Sequence, residues 1–120
     1  MADNVIKLKS FDFALRIVKL FQYLNQEKRE YVLSKQLLRS GTAIGALVRE
    51  AEQAESKLDF VHKFAIAQKE ANESDYWLEL LFQSEYLNEN QYKSLKSDVV
   101  EINKIIASII ISTKNRIGKK

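Results

Sequence analysis

The sequence predicts an all-α fold, an up-down-up-down bundle of four antiparallel helices, and three observations predict it. The chain has no proline and three glycines in 120 residues, whereas turn-rich β architectures depend on both. Apolar residues recur at alternating spacings of three and four, most regularly at Tyr92, Leu95, Val99, Ile102, Ile106, Ile109 and Thr113. That is the seam of a helix packed lengthwise on other helices. Only short polar stretches separate such segments, and short loops between long helices favour antiparallel neighbours.

The first helix reads from Ser10, whose hydroxyl can cap free backbone N–H groups, to about Asn25, with Asp12 suited to the positive end of the helix dipole. Its apolar residues fall on two tracks, Phe11, Ala14, Val18, Phe21 and Phe13, Ile17, Leu20, Leu24, a stripe wide enough to touch two neighbours. The division is then a flexible arm over 1–9, the bundle over 10–118 and a basic end at 119–120.

The second helix reads from Lys28 to Glu55, with Leu33, Leu37, Ile44, Val48 and Ala51 on its inner side. Gly41 and Gly45 lie within it. A mid-helix glycine costs roughly 1 kcal/mol relative to alanine, so two of them four apart mark either a close approach of another backbone or a tolerated kink. Ser56 followed by Asp59 resembles a capping box and opens a third helix to about Tyr86 along Phe60, Phe64, Ala67, Ala71, Ser74, Leu78 and Leu81. Asn88 with Gln91 repeats that logic for the fourth helix, which Gly118 stops.

On this reading the first helix spans about 25 Å against about 40 Å for the others. The uncovered ends of the long helices then call for a second copy, a homo-oligomer. Ile105, Ile110, Ile111 and Ile117 extend the fourth helix's seam beyond one stripe and form the expected oligomer surface. Ile106 reads as core and Ile110 as the intersubunit residue.

Little in the chain points to catalysis. There is no cysteine, and His62 is the single histidine, which leaves no nucleophilic triad. Di-iron bundles need repeated Glu-x-x-His motifs, and Asp59 with His62 is the one approximation. No enzyme activity, cofactor or metal is therefore expected. Absence of cysteine and of a leader-like apolar start suggests the cytoplasm. The Ile-rich run is broken by Ser108 and Ser112 and followed by Lys114 and Arg116, so no membrane span is expected.

Two polar groupings remain. Arg39 and Arg49 on the second helix can partner Glu70 and Glu73 of the third, with Trp77 on the same side; this is either a structural ion-pair cluster or a ligand site. The formal charge is +3, unevenly spread. From Asn88 onward seven Lys or Arg face three acids, while Lys57 to Leu87 carries three against six. Such asymmetry fits neighbouring helices of complementary charge or an anion-binding face. Candidate nucleic-acid contacts are Lys28, Arg29, Lys35, Lys114, Arg116, Lys119 and Lys120.

The segments Ser10-Phe-Asp-Phe-Ala-Leu-Arg-Ile-Val, Lys35-Gln-Leu-Leu-Arg-Ser-Gly-Thr-Ala-Ile-Gly-Ala and Ile66-Ala-Gln-Lys-Glu-Ala-Asn-Glu-Ser-Asp-Tyr-Trp-Leu-Glu-Leu-Leu resemble a known family. It is the S23-like four-helix bundle family of proteins tied to intervening sequences in bacterial large-subunit ribosomal RNA genes. The accessory variability proteins of diversity-generating retroelements are related to it. The likeness runs from Ser10 to Ile111 and departs at Leu47, where the family usually has Asn. It implies a bundle assembling as a five-fold ring, a homopentamer, with no established enzymatic activity. In the retroelement branch it implies binding of a reverse transcriptase and nucleic acid through basic surface. The expected function is thus a non-enzymatic homo-oligomeric scaffold that binds RNA or a nucleic-acid-processing partner. The alternatives are a small-molecule or metal-binding bundle using Arg39, Glu70, Glu73 and Trp77, or a purely structural or regulatory protein.

Overall fold

A computed structural model of the chain describes residues 2–118, with side chains from residue 4. Among these residues all regular structure is helical: α1 Ala2–Gln26, α2 Leu33–Ala51, α3 Lys57–Gln83 and α4 Glu89–Gly118. The molecule measures 54 × 22 × 20 Å. Each helix packs on the next, and α1 also meets α4, the most loosely joined pair. Residues near the start of one helix meet residues near the end of its neighbour. Lys7 reaches Glu52 at 3.2 Å, Lys63 reaches Glu50 at 3.3 Å and Lys96 reaches Asp75 at 2.7 Å. Phe13, Ile17, Leu24, Leu37, Ile44, Phe64, Leu78, Leu81, Val99, Ile102 and Ile106 are almost or wholly buried and form one core.

The stretch expected as an arm over residues 1–9 instead forms, from Ala2, the first two turns of α1; residue 1 lies outside the described residues. Ile6 is completely buried, about two turns before Phe13 and four before Leu20, and its burial holds those turns in place. Ser10 is no cap; it lies mid-helix, fully buried, with its hydroxyl donating to the Lys7 carbonyl at 3.3 Å. At 25 residues α1 exceeds the 19 of α2, so the inference of self-assembly from a short first helix falls away.

The second helix is shorter at both ends than its Lys28 to Glu55 pattern suggests. Its start is set by Glu30, which is 7% exposed and accepts hydrogen bonds from the backbone N–H groups of Val32, Leu33 and Ser34 at 3.0, 2.8 and 2.7 Å. A carboxylate there satisfies donors that a helix start leaves unpaired and suits the dipole. Asp59 N–H donates to the Ser56 hydroxyl at 3.0 Å, opening α3. The Asn88 and Gln91 side chains each accept the other's backbone N–H, at 2.8 and 2.9 Å, a complete capping box. The third helix closes with Tyr86 N–H on the Leu81 carbonyl and Glu85 N–H on that of Phe82. Glu85 takes the left-handed conformation, φ 69°, where glycine is usual.

Gly41 and Gly45 mark the approach of α1. A Cβ on Gly41 would lie 2.9 Å from Cγ1 and 3.0 Å from Cγ2 of Ile17, a buried β-branched side chain with little freedom to move. One on Gly45 would lie 3.4 Å from the Ser10 carbonyl oxygen. Overpacking a core costs about 1–3 kcal/mol and exceeds the roughly 1 kcal/mol that alanine gains in helix propensity. Gly41→Ala is therefore expected to destabilise the fold by about 1 kcal/mol, while Gly45→Ala is neutral or slightly stabilising. Chemical denaturation measures both, and equal effects at the two positions would contradict the contact argument.

Candidate functional site

The α2–α3 face carries the polar cluster. Arg39 donates through Nη1 to Glu70 Oε1 at 3.2 Å and through Nη2 to Glu73 Oε2, which also accepts the Trp77 indole N–H at 3.0 Å. Small side chains beneath it let the two helices close up: Ser40 and Ser74 are fully buried, with hydroxyls 2.9 Å apart. The Trp77 hydrogen bond, then that of Arg39, holds the Glu73 carboxyl below its ordinary range. Glu73 in turn raises the Arg39 guanidinium. The donors thus converge on the two carboxylates, and the arrangement pins α2 to α3 at a surface where the Arg39 side chain remains 51% exposed.

Arg49 does not join this cluster. It turns to the opposite side of α2, where its guanidinium carbon lies 5.1 Å from the centre of the Phe11 ring on α1, a cation–π arrangement. His62 is exposed on α3. No group of three or more His, Cys, Asp or Glu among the described residues could hold a metal ion.

The basic candidates divide between the two ends of the molecule. Lys28 lines a depression with Tyr23, Phe82, Tyr86 and Gln91 beside the start of α4. Arg29 is in the same α1–α2 connection, in the left-handed conformation at φ 53°, and Lys35 is exposed in the first turn of α2. At the other end α4 runs past Val5 at the start of α1 and carries exposed Lys114 and Arg116 in its final turns. From Gln91 to Lys114 the helix rises about 35 Å, so the two groups are separate. Lys119 and Lys120 lie outside the described residues.

The isoleucine-rich end of α4 is only partly an outer surface. Ile105 and Ile110 are half-buried against the core, Ile117 is half-buried, and Ile111 alone of the four is exposed, at 61%. Ile110 packs against the core and keeps part of its side chain exposed.

A larger exposed apolar surface lies on α1. Leu8, Phe11, Leu15 and Val18 of α1 are 67%, 47%, 47% and 37% exposed, and their 3-4-3 spacing puts them on one outward stripe. Phe11 and Val18 belong to the first of the two tracks expected to touch neighbouring helices. The true core track runs through Ile6, Phe13, Ile17, Leu20 and Leu24. Both tracks have helical period, so periodicity alone does not say which faces inward. On the α4 side of the stripe, Lys9 reaches Glu101 at 3.2 Å and Arg16 bonds to Asp98 and Ser94.

These observations describe a helical protein whose polar residues brace helix against helix while one long helix is apolar on two sides. No helix among the described residues is long and apolar enough to cross a membrane. No curated protein matches the chain. It is similar to a crystal structure of a protein of unknown function from the S23 ribosomal protein family of Bacteroides thetaiotaomicron VPI-5482. The two are 58% identical over 92% of this chain and 98% of that one, with a TM-score of 0.91. Residues 2–108 match the family model described as 23S rRNA-intervening sequence protein, a span that takes in the N-terminal turns around Ile6. The chain belongs to the 23S rRNA-intervening sequence protein family.

Proposed function

We propose that this chain is a non-enzymatic, homo-oligomeric scaffold of the cytoplasm that binds RNA or a nucleic-acid-processing partner, such as a reverse-transcriptase-like protein, through basic surface. Its building block is an up-down-up-down bundle, a reading supported by the start-to-end pairing of successive helices. Copies close into a ring, with five favoured by the family likeness.

The observation that carries the proposal is the outward apolar stripe of α1 on a chain whose core is already complete. A helix that is apolar on two opposite sides is ordinarily covered on both. For the anionic partner the support is the exposed Lys114 and Arg116, together with a family description that names 23S ribosomal RNA intervening sequences. A ring would repeat such a patch and multiply its attraction for phosphate.

Sedimentation equilibrium at micromolar concentration is expected to give a multiple of the 13.9 kDa chain mass; a single-chain mass would refute the scaffold. RNA affinity is expected to fall steeply with salt and, in Lys114→Glu with Arg116→Glu, to weaken alike for every RNA sequence tried. Binding indifferent to salt, or none at low salt, would remove the nucleic-acid half of the proposal.

A further inference from the structure

The outward face of α1 differs from the other three helix faces in having no charged residue along its centre. Leu8, Phe11, Leu15 and Val18 recur at alternating spacings of three and four residues, the pattern that seats a second helix along its length. With side chains of roughly 150–200 Å² each, their exposed fractions leave about 350 Å² of apolar surface on one stripe. A specific interface buries about 800 Å² per partner, so this stripe is of the right size for the apolar centre of one, with its two borders supplying the remainder.

The borders differ in charge. On the α2 side stands Arg49, over the Phe11 ring. On the α4 side stands Asp12, which lines a depression with Lys9, Asp98, Glu101 and Ile102, where Lys9 is taken by Glu101 at 3.2 Å. Both Arg49 and Asp12 are exposed, and among the described residues neither enters an ion pair. Each is a charge at the edge of an apolar face with no ion-pair partner among the described residues.

Resting on the assembly proposed above, we infer that the stripe is where copies of this chain meet, their α1 helices parallel and side by side about a common axis. In that arrangement the α2-side border of one copy faces the α4-side border of the next. Arg49 then meets Asp12 of the neighbouring copy, at nearly the same level along the helix. The reversed, antiparallel arrangement sets each border against itself, Asp12 on Asp12 and Arg49 on Arg49, a confrontation of like charges. Parallel α1 helices can close a cyclic assembly of any order, because each copy presents one border and receives the other.

The test compares the assembly of variants by sedimentation equilibrium, with far-UV circular dichroism as the control for folding. Leu15→Glu and, independently, Leu8→Lys are expected to run at single-chain mass with unchanged helicity. Asp12→Arg or Arg49→Asp alone is expected to raise the concentration for half-assembly roughly tenfold, and the two together to return it to within about threefold of the unaltered protein. An assembled parent protein whose Leu8 and Leu15 variants keep its mass would overturn this interface and leave the scaffold standing. Loss of assembly in the single charge variants without recovery in the double variant would overturn the parallel pairing. A parent protein of single-chain mass would sink the scaffold and this interface together.

Discussion

Replacing Ile106 by Asp is expected to abolish the folded state. Ile106 is fully buried in the one core, at the centre of the α4 seam between Ile102 and Ile109. Removing a buried Ile side chain costs about 2–5 kcal/mol before any charge is considered. An ionised carboxylate placed there finds no cation, and burying it costs several kcal/mol more, whether as a charge or through the protonation that avoids one. The sum is comparable to the whole stability of a domain of this size, about 5–15 kcal/mol. Circular dichroism should show lost helicity and no cooperative melt. Ile111→Asp, five residues on and 61% exposed, is the control and should melt as the parent protein does. A folded Ile106→Asp would mean that the core is looser than its burial indicates.

Glu30→Ala is expected to destabilise the protein by about 3 kcal/mol. Three backbone N–H groups at the start of α2 donate to this one carboxylate, and the Ser34 hydroxyl donates to the Glu30 carbonyl at 2.9 Å. A cap with one acceptor contributes about 1 kcal/mol, and hydrogen bonds to a charged group about 1.5–3 kcal/mol. Truncation leaves buried donors unsatisfied where the chain turns from α1 into α2. Glu30→Gln keeps an acceptor oxygen but loses the charge and should cost less. Urea denaturation of the three proteins gives the order directly, and a Glu30→Ala protein as stable as the parent would show that the N–H groups find water instead.

Glu30 also explains a boundary that the sequence does not mark. The stretch from Lys28 to Leu33 contains no proline or glycine, so a pattern-based reading carries α2 straight through it. The carboxylate instead folds back onto its own chain, aided by Arg29 in the left-handed conformation. Glu85 takes the left-handed conformation at the end of α3. With three glycines in the chain, two helix-ending positions are taken by residues that carry no local signal of that role. Asn88 with Gln91, and Ser56 with Asp59, cap the helices they were expected to cap, whereas the equally local signal at Ser10 is overridden by the burial of Ile6.

Candidate-site residues divide along a similar line. Arg39, Glu70, Glu73 and Trp77 come together as expected, because charge complementarity across two neighbouring seams leaves few other partners. Arg49 separates from them because it lies on the side of α2 that borders α1. Lys28, Arg29 and Lys35 separate from Lys114 and Arg116 by the length of the molecule, a distance that only the course of α4 reveals.

By itself the sequence determined the class of fold, four helices and the pairing of Arg39 with its carboxylates. Those depend on period, composition and charge, which act between near neighbours on a helix or along matched seams. Tertiary structure alone decided which of the two apolar tracks of α1 faces inward. Helical period is the same on both sides of a helix, and the choice is made by what the other three helices offer. Gly41 and Gly45 admit the backbone of α1 on one side, Ile6, Phe13 and Ile17 fill the space beneath, and Leu8, Phe11, Leu15 and Val18 are left facing out.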